Sequence, residues 1–252
     1  MRLQEYEAKE IFRTYGIPIP ESRVVRDPEA ALRAGLDLGL PVMLKAQVLV
    51  GGRGKAGGVV KCETPEEVLT FSEELFRREI KGLVPKELMV EKACEVEKEI
   101  YLGVVVDGYE GRPVLIFSKR GGVDVEDVFR RHPEEVIKLS LPIDGGFLPY
   151  QARGLSKGLG FSGEGMLSIS KVIYLLVKVF YEYEALLAEI NPLGISSSGD
   201  SICLDAVLEV DNSALKRIRA NLPNPATRIE NPLERKGREI GVTYVDLDGD
   251  IG

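Results

Sequence analysis

The sequence predicts an α+β fold of two lobes, each with a mixed or antiparallel sheet. Three observations carry this. Segments patterned as strands and helices alternate along the 252 residues, and such segments bury their apolar faces by packing helices on sheets. The strands come largely as hairpins: 99–106 with 113–118 around Asp107–Gly111, and 188–195 with 201–210 around Ser196–Asp200. Hairpins disfavour a doubly wound parallel sheet, whose strands need long crossovers. Glycine is abundant, at 27 residues, and clustered, most densely over Gly51–Gly58. Clustered glycine brings backbone close to something else.

The elements follow in order. Leu3, Tyr6, Ile11, Phe12 and Tyr15 recur at near-helical spacing and Gly16 stops the helix. Pro18 and Pro20 force an extended segment. Asp27-Pro28 caps a helix running toward Gly39. Residues 41–50 read as a buried strand, 51–58 as a loop and 59–63 as another strand. Thr64 with Glu67 forms a capping box that opens a helix to about Ile80. A strand at 88–91 and the first hairpin follow, then helices at 124–132 and 165–184 and the second hairpin. The 165–184 helix is apolar nearly all round, as expected of a buried central helix. From about 216 the chain is rich in Pro, Asn and Arg and reads as irregular. The predicted organisation is an N-terminal helix and extended segment over 1–20, packing with the second lobe. A first lobe then covers 21–103, a second lobe 104–240 and a linker 241–252.

Lys and Arg total 33 against 40 Asp and Glu, for a net charge of −7 without a basic block. Nucleic-acid binding is therefore disfavoured, and an anionic ligand must be held by local donors. Cys62, Cys94 and Cys203 are far apart and odd in number, which excludes a disulfide framework and suits a reducing compartment. The first ten residues are too charged for a signal peptide, and no apolar run approaches a membrane span. The chain is expected in the cytoplasm, or in the mitochondrial matrix of a eukaryote, although no transit peptide is seen.

Three constellations could carry chemistry. Gly52-Arg-Gly-Lys-Ala-Gly57 fits G-x-G-x-x-G, but between two strands rather than between strand and helix. A dinucleotide fingerprint is therefore excluded, and a phosphate-covering glycine hairpin fits better. Lys45 lies among Val42, Met43, Leu44 and Val48. An unpaired ammonium there is costly, and an anionic ligand would relieve it. Next, Asn191 and Asp205 are equidistant from Ser198 at the centre of the second hairpin, and Glu189 shares a face with Asn191. Three oxygen ligands without histidine suit nucleotide-borne Mg²⁺. Last, Glu91, Glu95, Glu97 and Glu99 lie where the lobes join. Carboxylates in such a cleft could accept ribose hydroxyls, but spacing does not choose among them. The sole histidine, His132, ends a charged helix with nothing to orient it, which disfavours hydrolases built on a histidine base.

Several segments together resemble the β subunits of succinyl-CoA synthetases. They are Leu3–Lys9, Lys45–Val48, Gly51–Gly58, Lys98–Gly103, Gly121–Val123, Pro149–Gln151, Ala188–Leu193 and Ile202–Asp205. The resemblance spans the chain in order and implies an ATP-grasp fold, two α+β lobes gripping a nucleotide. It further implies phosphate contacts from Lys45, Gly52, Arg53 and Gly54, adenine-side contacts from Glu91 and the backbone at Cys94, and a ribose contact from Glu99. By the same resemblance Asn191 and Asp205 are Mg²⁺ ligands. Glu189 matches an acidic residue that stands near a migrating phosphohistidine, and is the catalytic candidate. The loop Lys119–Val123 gains no role.

The implied reaction joins a carboxylate to CoA reversibly at the expense of ATP. The phosphoryl group passes through a histidine on a partner α subunit, so a hetero-oligomer is implied. Succinate is the expected acid, with malate, citrate or acetate as alternatives. Two further alternatives are an ATP-grasp ligase that makes an acyl phosphate for an amine, and a non-catalytic nucleotide-binding assembly module. ATP is favoured over GTP by Pro20 in the extended segment. The resembling subunits continue past the motif at Leu247–Gly252 into a further CoA-ligase domain, so the chain reads as their ATP-grasp portion, inactive in full turnover without a partner.

Overall fold

The computed structural model describes residues 1–218, 222–223, 232–242 and 244–245. It contains two antiparallel sheets, each backed by helices. The smaller sheet orders its strands β1 (Ser22–Val25), β4 (Leu88–Lys92), β2 (Val42–Ala46) and β3 (Val59–Cys62). Helices α2 (Pro28–Leu38) and α3 (Pro65–Arg77) cover it and share a core built on Leu44, Val68, Leu75 and Val90. Both start as their sequences dictate. Asp27 accepts the Ala30 N–H at 2.7 Å, and Thr64 and Glu67 exchange hydrogen bonds in a capping box.

The larger sheet runs β10 (Ala206–Val210), β8 (Ala185–Ile195), β5 (Lys98–Asp107), β6 (Arg112–Ser118) and β7 (Val136–Ser140), with β9 (Ser201–Cys203) also on β8. Helix α6 (Gly163–Glu182) buries Ile169, Val172, Ile173, Leu176 and Phe180 in this lobe's core. Helix α1 (Glu5–Thr14) joins the same core through Ala8 and Phe12. Helices α4 (Val125–Arg131) and α5 (Pro149–Gly158) complete the lobe. No helix among the described residues is long and apolar enough to cross a membrane.

Several expectations need correction. Strand β5 belongs wholly to the larger sheet from Lys98 onward, so the lobes divide before that strand and not after residue 103. The expected boundary at 103/104 cut through the strand that the sequence itself places at 99–106. Strand β2 ends at Ala46, not 50, and the next N–H, that of Gln47, bonds the Glu87 carbonyl. Strand β7, helix α5 and helix α7 (Pro232–Glu239) were not expected; α7 interrupts a tail read as irregular. The motif at Leu247–Gly252 lies outside the described residues.

Helix α1 also departs from its apolar spacing. Its buried stripe is Glu5, Ala8, Lys9 and Phe12, at i, i+3, i+4 and i+7. Two charged residues therefore lie where an amphipathic helix normally places apolar ones.

Candidate nucleotide cleft between the lobes

A cleft of about 770 Å³ opens between the two sheets. Lys45, Gly52, Arg53, Gly54, Glu91, Cys94, Glu99, Glu189, Asn191 and Asp205 all line it. The fold thus brings these ten candidates together from the glycine loop, the inter-lobe linker and the second hairpin; Glu95 also lines the cleft, and Glu97 does not. His132 does not line the cleft; its Nδ1 lies 3.6 Å from Glu134 on the surface.

The glycine loop joins β2 to β3, with Lys45 opposite Val59. It coils on itself: Ala56 and Gly58 N–H bond the Arg53 carbonyl at 3.1 and 2.8 Å. Gly52 at φ 68° and Gly57 at φ 75° supply left-handed turns closed to most side chains. The turn carries Arg53 inward. Its Nη1 donates to the Ala46 carbonyl at 3.2 Å, and its Nη2 donates to Asp205 Oδ1 at 2.6 Å and to Glu5. Lys55 leaves the same loop to pair with Asp124 at 2.6 Å. That contact is exposed on both sides, so it contributes little.

At the base of the cleft lies a buried ionic cluster. Lys45 Nζ donates to Glu5 Oε1 at 3.1 Å, to Glu91 Oε1 at 2.5 Å and to the Leu204 carbonyl. Lys9 Nζ lies 2.9 Å from Glu5 Oε1, donates to the Leu204 carbonyl at 2.7 Å and also pairs with Glu91. Three cations, Lys9, Lys45 and Arg53, face three carboxylates, Glu5, Glu91 and Asp205. Burial pushes the Glu5 carboxyl upward, but Arg53, Lys45 and Lys9 overcome it and hold Glu5 well below the usual carboxylate range. Burial likewise works against the Lys45 ammonium, and Glu5 and Glu91 raise it above an ordinary lysine.

The cluster corrects one expectation and narrows another. Lys45 is buried among apolar neighbours, yet protein carboxylates already satisfy it, so its burial alone does not demand a ligand. Glu91 is only 1% exposed and its carboxylate is held by two lysines, so it is not a free acceptor for ribose hydroxyls. Glu99 is exposed at the cleft and remains placed for that contact.

The second hairpin keeps the predicted register. Leu193 pairs with Cys203 and Ile190 with Ala206, both pairs symmetric about Ser198. Between them the Asn191 N–H meets the Asp205 carbonyl at 3.3 Å. The ladder breaks at Leu204–Asp205, which frees the Leu204 carbonyl for the two lysines. Asn191 holds the loop at 119–123: its Oδ1 accepts the Gly122 N–H at 2.8 Å and its Nδ2 donates to the Val123 carbonyl at 3.2 Å. Asn191 and Asp205 bring an amide and a carboxylate oxygen to one cleft, oxygen donors of the kind Mg²⁺ takes; here Asn191 Oδ1 accepts the Gly122 N–H and Asp205 Oδ1 accepts from Arg53 and the Ala206 N–H.

Glu189 accepts the Tyr101 hydroxyl at 3.0 Å. Burial raises its carboxyl above the usual range, and the Tyr101 hydrogen bond opposes that rise. Tyr101 and Gly103 share a face of β5, and Gly103 pairs with Glu189 on β8. A Cβ at position 103 would lie 3.0 Å from the Tyr101 ring carbon that bears the hydroxyl, and nearer still to the hydroxyl itself. Glycine therefore leaves the room through which Tyr101 reaches Glu189. The sequence reading missed Tyr101, Glu5 and Lys9 as site residues. For the last two the available signal was their i, i+4 spacing on the stripe of Ala8 and Phe12.

The chain is similar to known proteins. The chain is 41% identical over its whole length to the succinate–CoA ligase [ADP-forming] subunit beta of Methanocaldococcus jannaschii. It is 40% identical to the [GDP-forming] subunit beta of Thermus thermophilus, and it spans 66% of the length of each. Among solved structures, a dinucleotide-forming acetyl-coenzyme A synthetase of Ca. Korarchaeum cryptofilum, in complex with coenzyme A and Ca-AMPCP, superposes with a TM-score of 0.67 at 26% identity. That match covers 83% of this chain and 93% of the other. The ATP-grasp domain profile matches residues 2–195, the stretch that carries both sheets up to the end of β8. The chain belongs to the ATP-grasp family.

Proposed function

We propose that this chain is the nucleotide-binding part of an acid–thiol ligase of the succinate–CoA ligase type. The observation that carries the reading is the convergence of ten candidate residues on one inter-lobe cleft, in a chain about 40% identical to beta subunits of that name. ATP, or GTP, lies in the cleft with its phosphates toward Lys45, Arg53 and the glycine loop, and its base and ribose toward Cys94 and Glu99. Asn191 and Asp205 would hold Mg²⁺, which would supply charge neutralisation for the polyphosphate. The transferred phosphoryl group leaves for a histidine on a partner α subunit, beside which Glu189 stands. This chain positions and neutralises; the partner supplies the acceptor and the CoA site. With its cysteines free and well separated, the assembly works in the reducing cytoplasm.

The test is calorimetry of MgATP binding to the purified chain. Lys45→Ala should weaken it by about 1.5–3 kcal/mol, the range for a hydrogen bond to a charged group. Unchanged affinity removes Lys45 from the site. With a partner subunit added, succinyl-CoA formation checks the acid. The structural match to an acetyl-CoA synthetase favours acetate as the second reading, and comparing the two products decides between them.

A further inference from the structure

The segment Leu3–Lys9 has no role in the reading above, yet it sends two charged side chains to the base of the cleft. Glu5 is the centre of the arrangement. One of its oxygens takes Lys45 at 3.1 Å and Lys9 at 2.9 Å, and the other takes Arg53. Lys45 comes from β2 and Arg53 from the glycine loop, two cations that repel each other. A carboxylate between them lets both stand together at one wall of the cleft.

We propose that Glu5 is a positioning residue of the nucleotide site, a bracket that fixes Lys45 and Arg53 as a preformed fork for the polyphosphate. This rests on the nucleotide reading and extends the site to the N-terminal helix.

The geometry gives Glu5 work that no other carboxylate can do. Arg53 Nη2 has a second carboxylate partner, Asp205, which like Glu5 belongs to the larger lobe. Without Glu5, Asp205 is the sole carboxylate partner of that guanidinium, and no carboxylate of the cluster ties it to Lys45, which keeps Glu91. With Glu5, the guanidinium stays beside Lys45, anchored also by the Ala46 carbonyl. Gln47 reinforces the helix position by accepting the Tyr6 N–H at 3.2 Å. Glu5 itself is 3% exposed and does not compete for solvent. A fork fixed in advance loses less freedom on binding than two mobile cations, which is how preorganisation raises affinity. The negative charge of Glu5 opposes the phosphates, so the reading predicts that ordering outweighs repulsion.

The experiment measures MgATP and adenosine binding to the purified chain and to Glu5→Gln, which keeps the shape and removes the charge. The expected result is about tenfold weaker MgATP binding, with adenosine, which has no phosphate, within twofold of the parent. Equal weakening of both ligands marks a general structural role and overturns the proposal. Unchanged or tighter MgATP binding overturns it too. Should Glu5→Gln not fold, the same ratio is read in Glu5→Asp, which keeps the charge but withdraws it. There about a threefold loss confined to MgATP is expected, and no loss refutes positioning. If the parent chain itself fails to bind MgATP, the nucleotide reading falls and this proposal with it; if only the variant matches its parent, this proposal alone falls.

Discussion

Replacing Lys9 by methionine tests whether the cluster at the base of the cleft is a buried ionic network or a hydrated one. Lys9 is 2% exposed, and methionine fills a similar volume without the charge. The substitution removes contacts to Glu5, Glu91 and the Leu204 carbonyl. Each acceptor keeps Lys45, and Glu5 also keeps Arg53. Glu91 keeps Lys45 at Oε1 but loses Lys9 at Oε2, and three carboxylates then face two cations. Breaking a buried pair costs about 3–5 kcal/mol, and the surviving partners place this case at the lower end, about 3 kcal/mol. For a chain of this size the urea dependence is at the upper end of the usual range, about 3 kcal/mol per molar, so the midpoint should fall by about 1 M. Probes in each lobe should be followed separately, because two lobes need not unfold together. The double variant Lys9→Met with Glu91→Gln restores charge balance and should recover at least half of the loss. A midpoint shift below about 0.3 M, or no recovery in the double variant, would refute the reasoning and show a cluster screened by water.

Stability should also fall in acid. Glu5 has a folded-state pKa below its ordinary 4.5, so its contribution is complete above that value and is lost as pH falls below it. Lys45, raised above its ordinary 10.5, contributes fully below that pH and loses its contribution only as pH rises through the higher folded value. Glu5→Gln should therefore shorten the acid limb of the urea-midpoint profile below about pH 5; an identical limb in parent and variant contradicts the assignment. Tyr101→Phe removes the hydrogen bond that holds Glu189 down, so the Glu189 carboxyl should titrate higher in a carbon-detected NMR titration, and a lower midpoint rules the pairing out. Gly121→Ala would place a Cβ 2.8 Å from the Ile100 backbone nitrogen and closer to its carbonyl. The loop must move at a cost of about 1–3 kcal/mol, and hydrogen exchange at the Gly122 amide, now held by Asn191, should accelerate; protection equal to the parent argues against the clash.

Much of the fold was legible because its signals are local. The capping box at Thr64, the cap at Asp27 and the hairpin centre at Ser198 each depend on residues a few positions apart, and each stands where the sequence puts it. Strand β7 escaped notice although Ile137 and Leu139 face the core and alternate with exposed Lys138 and Ser140; at five residues on a sheet edge it is a short signal beside a charged helix end. Helix α5 holds Gly154 and ends at Gly158, which weakens its helical signature. The cleft lining was legible in the glycine loop and the second hairpin, which have recognisable spacing, but not in its charge partners. Lys45 finds Glu5 40 residues away and Glu91 46 away, and Arg53 finds Asp205 at 152. In one dimension Glu5 and Lys9 look like the solvated face of a helix; only the docking of that helix against the cleft turns them inward.

The tie between the two ends of the described fold bears on how the molecule is made. Lys9 bonds the carbonyl of Leu204, 195 residues later, and the N–H groups of Leu3 and Val210 bond Leu208 and Met1 across the same seam. On a ribosome the first lobe, whose core draws on residues from Val25 to Val90, can close while the rest is still being synthesised. Helix α1 leaves the tunnel before that lobe, yet its apolar partners lie almost wholly in the second. It must wait for the hairpin that follows α6, and through that interval Lys9, Lys45 and Arg53 remain hydrated. A helix translated ahead of the small lobe is thus among the last elements to dock, and a nascent chain halted before about residue 205 carries a closed small lobe but no finished cleft.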